Sequence, residues 1–408
     1  MLKCGLIGEK LGHSYSPTVH AMFGDYAYLL HELKPDDVEA FLKHGEYDGL
    51  NVTVPYKKKA FACMDVLSPS AAETGSVNTV VHLPDGRLYG DNTDVYGFTA
   101  MLKSSGLELE GKKVLVLGNG GAASAVIAAL ASFGTRTVVI SRSGENNYTN
   151  LSKHADASVI VNCTPLGMYP KNGAAAVDLK MFPSCEGVFD LIYNPGKTAL
   201  LFQAEELGIR VAVNGLKMLV AQAAKSSELF TGKAIGDDTV ERVTKAVGNR
   251  LRNIVLVGMA GCGKSTVAAN IGRITGRTVV DSDDEITKRF GMTPAEMIVE
   301  KGEDYFRQKE HEVIEDIGKA SGLVIATGGG VVTRSENYAP LHQNGIIVWL
   351  QRPISELARD GRPLYRGTSP EELFAKREPM YRAFSDLIFR LDIDGHAEEL
   401  MKLLEDRE

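Results

Sequence analysis

Cysteine is scarce: five in 408 residues, at positions 4, 63, 163, 185 and 262, with no Cys-x-x-Cys among them. An odd count at such wide spacing excludes a disulfide framework and a cysteine-based zinc site, and suits a reducing compartment. Long hydrophobic runs are lacking too. No uninterrupted apolar stretch approaches the ~18 residues of a membrane span. The opening Met1-Leu2-Lys3-Cys4-Gly5-Leu6-Ile7-Gly8 is too short for a secretory core and reads as a strand. The expected location is therefore the cytoplasm. Positive charge is not in excess. The net charge is −7 and basic clusters such as Lys57-Lys58-Lys59 are short and local, so nucleic acid is not an expected partner. Internal repeats are missing. What remains, 44% hydrophobic and 24% charged residues, is the composition of ordinary globular domains, and the length suggests two or three of them.

The most informative stretch lies past the middle. Ile254-Val255-Leu256-Val257 is a buried-strand pattern that runs into Gly258-Met259-Ala260-Gly261-Cys262-Gly263-Lys264-Ser265-Thr266, and a helical pattern follows. This is Gly-x-x-x-x-Gly-Lys-Ser between strand and helix, the P-loop form. Its glycines let backbone N–H groups turn inward around phosphate oxygens, and the helix N-terminus adds favourable partial charge. Gly258, Gly261, Gly263, Lys264, Ser265 and Thr266 are the expected ATP-binding residues, with the Ser265 hydroxyl on Mg²⁺. Val279-Val280-Asp281-Ser282-Asp283 then ends a strand in two carboxylates spaced i, i+2, placing them on one face. Asp281 is the expected second Mg²⁺ group, acting through water, and Asp283 the group that meets the phosphate acceptor. A capping role for Asp283 on the helix 285–290 is the alternative.

A second cradle lies upstream. Val114-Leu115-Val116-Leu117 leads into Gly118-x-Gly120-x-x-Ala123 and an alanine-rich helix, and Val138-Val139-Ile140 forms the next strand. This is the dinucleotide fingerprint in a β-α-β unit, with Gly118, Gly120, Gly121 and Ala122 on the cofactor. An NAD site places a carboxylate at the end of the second strand. Here the chain reads Ser141-Arg142-Ser143, which suits a 2′-phosphate, so NADP(H) is expected.

Four further segments precede that cradle: His13-Ser14-Tyr15-Ser16-Pro17, Asn51-Val52-Thr53-Val54-Pro55-Tyr56-Lys57, Val77-Asn78-Thr79 and Gly90-Asp91-Asn92-Thr93-Asp94. Read locally, Ser16 is a helix N-cap before proline, Pro84-Asp85-Gly86 is a hairpin turn, and the asparagines are either Asx turns or partners for a hydroxyl-rich ligand. In this order the four segments resemble shikimate dehydrogenase over residues 3–235. The resemblance implies Lys57 and Asp94 as the catalytic pair and Ser14, Ser16, Thr53 and Asn78 as substrate-binding groups. Tyr193, in Asp190-Leu191-Ile192-Tyr193-Asn194-Pro195, and Gln222, in the late helix, complete the set. Hydride delivery to a ketone leaves an alkoxide that needs a proton, and a lysine beside a carboxylate can supply it; which of the two is the formal acid stays open. About twenty residues separate Arg142 from Asn162, shorter than in the family, so a helix or strand of that half-sheet is expected to be missing.

The C-terminal part resembles shikimate kinase over residues 253–405, on Asp281-Ser282-Asp283, Phe306-Arg307, Gly328-Gly329-Gly330, Gly361-Arg362-Pro363 and Arg377-Glu378-Pro379-Met380-Tyr381-Arg382. That resemblance implies Asp283, Arg307, Gly329, Gly330 and Arg382 at the substrate, and Lys264 and Arg362 on the transferring phosphoryl group. The stretch 358–365 is shorter than the family's lid. The expected architecture is α/β throughout. It comprises an α/β substrate domain at 1–100, a Rossmann NADP domain at 101–235 whose last helix returns to the substrate, a linker with a small helix at 236–252, and a P-loop kinase domain with a parallel sheet at 253–408. The expected substrates are 3-dehydroshikimate and shikimate. The alternatives are a quinate-type dehydrogenase joined to another small-molecule kinase, or one domain kept as a ligand sensor.

Overall fold

The computed structural model describes residues 1–12, 14–358, 369–391 and 397–405. Its contacts separate into two compact units, Met1–Val247 and Gly248–Glu408.

The first unit holds two sheets. One is built from β1 (Lys3–Gly8), β2 (Ala27–Glu32), β3 (Gly49–Val52), β4 (Val66–Leu67), β5 (Thr79–His82) and β6 (Leu88–Asp91), in the order β2-β1-β3-β5-β6-β4. β3 pairs parallel with β1 and antiparallel with β5, and the β5–β6 hairpin turns at Asp85-Gly86. The register aligns Leu6, Asn51, Thr79 and Asp91 across four neighbouring strands. All four β3 residues are buried, so the polar Asn51 side chain must find partners inside the protein.

The other sheet contains β7 (Lys113–Leu117), β8 (Arg136–Ile140), β9 (Val159–Asn162), β10 (Gly187–Asp190) and β11 (Val211–Asn214), all parallel, in the order β11-β10-β9-β7-β8. Numbered within the sheet this is 2-1-3-4-5, with its switch point between β7 and β9, where a parallel sheet opens a crevice for a ligand. The shortened segment has a visible consequence. Between β8 and β9 the only helical element is the 3₁₀ turn Leu151–His154, and the sheet has five strands. The helices Thr93–Ser104 and Leu216–Thr231 pack on one another and carry the C-terminal chain back over β3 and β5. The segment read as a linker with a small helix is one helix, Asp237–Leu251, burying Val240, Val243 and Val247 on one face.

The second unit is a parallel sheet of β12 (Asn253–Val257), β13 (Val279–Asp281), β14 (Val324–Ala326), β15 (Gly345–Gln351) and β16 (Leu387–Arg390), ordered β13-β14-β12-β15-β16. β12 sits in the middle with Ile254 to Val257 fully enclosed, which explains its unbroken apolar run. Each such side chain contributes ~1.5–3 kcal/mol of transfer free energy. Trp349 on β15 is core, stacked on Tyr381 at 5.5 Å. The loops after β12, β13 and β14 leave the sheet at its carboxyl edge, side by side.

Candidate active sites

In the first unit the strand β3 stops at Val52, and Lys57 starts the helix Lys57–Ala62. Its Nζ donates to Asp94 Oδ2 at 2.5 Å, with the two side chains only 19% and 12% exposed. Lys57 is thus set apart from the solvated Lys58-Lys59 run by a buried partner. Asp94 lies in the first turn of the helix Thr93–Ser104, which Asn92 caps by accepting the Asp94 N–H. Asn78 Nδ2 donates to the other Asp94 oxygen at 2.9 Å, while Asn78 Oδ1 accepts the Thr93 N–H at 2.8 Å. The carboxylate is thereby held between an ammonium and an amide, both oriented.

Of the other expected groups, Gln222 joins this cluster through Thr93, and the rest are placed as follows. The Thr53 N–H pairs with the Ile7 carbonyl, and its side chain is partly buried beside Gly8. Gln222 Oε1 lies 3.3 Å from the Thr93 hydroxyl. Tyr193 places its ring 5.7 Å from that of Tyr15, next to Ser14 and Ser16, and burial raises its phenol pKa. Ser16 differs from the expectation. It is the first helical residue of Ser16–His20, Tyr15 occupies the cap position without a side-chain bond, and Ser14 Oγ accepts the Ser16 N–H at 3.3 Å. A hydroxyl two residues upstream closes that turn, so the Ser16 side chain has no cap to make.

At the dinucleotide edge, Gly118 has φ +103°, a conformation that disfavours any side chain, and a Cβ on Gly120 or Gly121 would meet open space. The helix Gly121–Ala131 starts there with Ala122 in its first turn. Ser141 is buried at the end of β8, while Arg142 and Ser143 are exposed. This fits a pyrophosphate at a helix N-terminus and a phosphate on a free guanidinium. Below the loop at 163–168, Asp190 accepts from Asn162, Thr198 and the Ile192 N–H, and burial pushes its carboxyl up to about 6.

In the second unit Lys264 Nζ rests on the carbonyls of Gly258 and Met259, at 2.9 and 3.0 Å. The Ser265 hydroxyl donates to Asp281 Oδ2 at 2.7 Å. This hydroxyl–carboxylate pair beside a lysine fits Mg²⁺ and a phosphate chain. Asp281 and Asp283 are not two residues of one strand. β13 ends at Asp281, which caps the helix Ser282–Phe290 by accepting the Asp283 N–H at 3.0 Å, so the capper is Asp281 and Asp283 lies in the helix's first turn. Burial, then the nearby Glu310 and Asp281, push the Asp283 carboxyl up to about 6.

The glycine triplet after β14 is wedged among these groups. A Cβ on Gly328 would fall 2.7 Å from Glu310 Oε1 and 2.9 Å from Asp283 Oδ1, one on Gly329 2.7 Å from the Ala260 N of the P-loop, and one on Gly330 inside the guanidinium of Arg307. Arg307 is buried and donates to Glu310 at 2.7 Å and to Glu303 at 3.1 Å. Asp283 Oδ1 and Glu310 Oε1 are buried without a hydrogen-bond partner among the described residues. Such buried acceptors can take a hydrogen bond from a hydroxyl that enters the site. Arg382 faces outward, 61% exposed, bonded to Glu378 at 2.5 Å and lying over the Trp349 ring, and no described contact joins it to Arg307. Arg362 and the shortened stretch from 359 onward lie outside the described residues. Sequence reasoning missed Glu310 and gave Arg377, though it stands in the 377–382 segment, no role of its own. Arg377 donates to the Gly329 carbonyl at 3.1 Å, a bond shared with the Tyr381 hydroxyl at 2.5 Å. The i, i+3 spacing from Arg307 was the signal for Glu310.

A dinucleotide crevice and an ammonium–carboxylate pair within one compact unit define an oxidoreductase, and a P-loop beside buried carboxylates defines a small-molecule kinase unit. The family model described as shikimate dehydrogenase substrate binding domain matches residues 6–80, and that described as shikimate kinase matches residues 260–407. The shikimate dehydrogenase (NADP(+)) of Clostridium perfringens is 36% identical over 261 residues, spanning 59% of this chain and 96% of the relative. The chain belongs to the shikimate dehydrogenase family and carries a shikimate kinase domain behind it. Among solved structures, a chorismate mutase/shikimate 5-dehydrogenase fusion protein from Clostridium acetobutylicum is 37% identical with a TM-score of 0.56, covering 60% of this chain and 96% of that one. Shikimate 5-dehydrogenase from Thermus thermophilus, solved with NADP(H) and shikimate, is 32% identical with a TM-score of 0.55, covering 60% and 99%. Among the described residues no helix is long and apolar enough to cross a membrane.

Proposed function

We propose that the chain is a bifunctional enzyme of two consecutive steps. The first unit reduces 3-dehydroshikimate to shikimate with NADPH, and the second phosphorylates the shikimate 3-hydroxyl with ATP and Mg²⁺. The observation that carries this reading is the Lys57–Asp94 pair at 2.5 Å, bonded to the Asn78 amide, in the same chain as a shikimate kinase domain. Bound NADPH supplies the hydride and bound Mg²⁺–ATP the phosphoryl group.

In the first site Lys57 lies where it can give a proton to the carbonyl oxygen as negative charge develops there, and Asp94 orients the ammonium and takes part in its recharging. Asn78, Thr53 and Gln222 hold ring hydroxyls, Ser14 and Ser16 the ring carboxylate, and Tyr193 closes the pocket. Gly118, Gly120, Gly121 and Ala122 cradle the pyrophosphate, and Arg142 with Ser141 and Ser143 takes the 2′-phosphate, favouring NADP(H) over NAD(H).

In the second site Asp283 accepts the proton of the 3-hydroxyl in a hydrogen bond. Its raised pKa leaves the carboxylate basic enough for that task and still mostly ionised at pH 7. Arg307 binds the ring carboxylate, Arg382 joins it on leaving Glu378, and Gly329 and Gly330 let the backbone approach. Gly258, Gly261, Gly263 and Thr266 shape the phosphate cradle. Ser265 and Asp281 hold Mg²⁺, and Lys264 and Arg362 offset the charge of the transferring group. The partners are small molecules and the proposed location is the cytoplasm. Loss of absorbance from NADPH with 3-dehydroshikimate, and coupled ADP release with shikimate, test the two halves separately. No turnover by folded protein in one assay removes that half.

A further inference from the structure

We propose that Ser226 is a positioning residue of the dehydrogenase site: its buried hydroxyl sets the orientation of Asn78 and Gln222, and through them the fit of the substrate. The inference rests on the substrate pocket assigned above.

Ser226 sits on the helix Leu216–Thr231 with none of its surface exposed. Its Oγ lies 2.8 Å from Asn51 Nδ2, 2.8 Å from Thr79 Oγ1, 3.2 Å from Thr93 Oγ1 and 3.0 Å from the Gln222 carbonyl. A serine in a helix ordinarily bonds only the carbonyl one turn back. This one also meets β3, β5 and the start of the helix that carries Asp94.

The directions of these bonds follow from donor counting. A serine hydroxyl has one hydrogen and two lone pairs. The Gln222 carbonyl can only accept, so it takes that hydrogen. Asn51 Oδ1 accepts the Tyr28 hydroxyl at 2.7 Å, so its Nδ2 is the group that faces Ser226 and can only donate. The second lone pair takes the hydroxyl of Thr79, at 2.8 Å the nearer of the two threonines. With Ser226 acting as acceptor, the Thr93 hydrogen is left for Asn78 Oδ1 at 3.1 Å or Gln222 Oε1 at 3.3 Å. Asn78 Oδ1 is thereby held by the N–H and the hydroxyl of Thr93, which aims Nδ2 at Asp94. Removing the Ser226 oxygen frees the Thr79 hydroxyl to compete with Thr93 for Asn78 Oδ1 at 3.1 Å, which pushes the Thr93 hydrogen toward Gln222, and the amides that face substrate lose their common reference.

The test is steady-state kinetics on the full chain. Ser226→Ala is expected to raise KM for 3-dehydroshikimate about tenfold, equivalent to ~1.4 kcal/mol, with kcat changed less than about threefold. KM for NADPH and the shikimate kinase rate should not move, which also checks folding. Ser226→Cys, close in size but a weak acceptor, should fall between wild type and the alanine variant. An alanine variant that melts earlier with an unchanged KM for 3-dehydroshikimate overturns the proposal, as does an equal loss for both substrates. If alanine does not fold, a cysteine variant with wild-type KM overturns it. A wild-type chain inactive on 3-dehydroshikimate would instead remove the functional reading beneath it.

Discussion

Gly330→Ala should damage the kinase and spare the dehydrogenase. The added methyl group would overlap the Arg307 guanidinium, which must withdraw by on the order of an ångström to restore van der Waals contact. A free arginine would swing aside at little cost. This one is buried and tied to Glu310 and Glu303 on its own helix, and Glu310 is fully enclosed. Moving the guanidinium off Glu310 leaves a buried carboxylate without its bonded counter-charge, with only Arg377 and Arg334 acting from further off, a loss of up to roughly 3–5 kcal/mol. Keeping that pair instead means distorting the glycine turn. Either response moves the group assigned to the substrate carboxylate. Loss of a bidentate charged contact costs about 2–3 kcal/mol, some 30- to 150-fold in affinity. The expected result is a shikimate KM at least ~30-fold higher with KM for ATP little altered, because the P-loop touches Gly329 rather than Gly330. Coupled ADP release gives both constants, and NADPH oxidation on the same preparation reports whether the other unit is intact. A folded variant with an unchanged shikimate KM would refute Arg307 as the carboxylate anchor.

Other substitutions probe separate parts of the account. Lys57→Met or Asp94→Asn should lower dehydrogenase kcat by ~10²–10⁴ and leave the kinase rate unchanged. Arg142→Ala should raise KM for NADPH about 30-fold with little effect on NADH, since it removes a charged contact to the 2′-phosphate only. The kinase rate should rise with pH through about 6 as Asp283 ionises. Because burial raises that carboxyl above its unfolded value near 3.8, the proton is bound more tightly in the folded state. Its stabilising effect is full below about 4 and lost as pH climbs through about 6. Asp283→Asn should therefore abolish kinase turnover while the second unit melts no earlier than wild type at pH 7.5, measured by calorimetry. A variant that melts earlier would mean the charge is compensated after all.

The parts legible in sequence are those whose chemistry is contiguous. The P-loop and the dinucleotide turn each lie within one strand–loop–helix, so glycine spacing and flanking apolar runs were enough. The shortened 142–162 segment likewise announced its effect, a five-strand sheet with a 3₁₀ turn for a crossover. Errors fell at element junctions. Asp281 and Asp283 look like strand neighbours in sequence, but a helix begins between them. Ser16 reads as a cap until Ser14 closes the turn first. The helix Asp237–Leu251 runs past both ends of the amphipathic core visible in its sequence. Long-range partnerships were invisible for a different reason. Ser226 and Asn51 meet across 175 positions, and nothing local to either distinguishes a buried hub from an ordinary helix serine. Glu310 carries a local trace, its spacing from Arg307, but burial decides its meaning.

The central claim is that both sites in one chain serve one cyclic hydroxy acid in succession. Incubating the enzyme with 3-dehydroshikimate, NADPH, ATP and Mg²⁺, and quantifying NADP⁺ and ADP over time, tests it most directly. The account predicts that ADP forms only when NADPH is present and approaches equality with NADP⁺ as the reaction completes. ADP formation that does not require NADPH, or full NADPH consumption with no ADP, would contradict it.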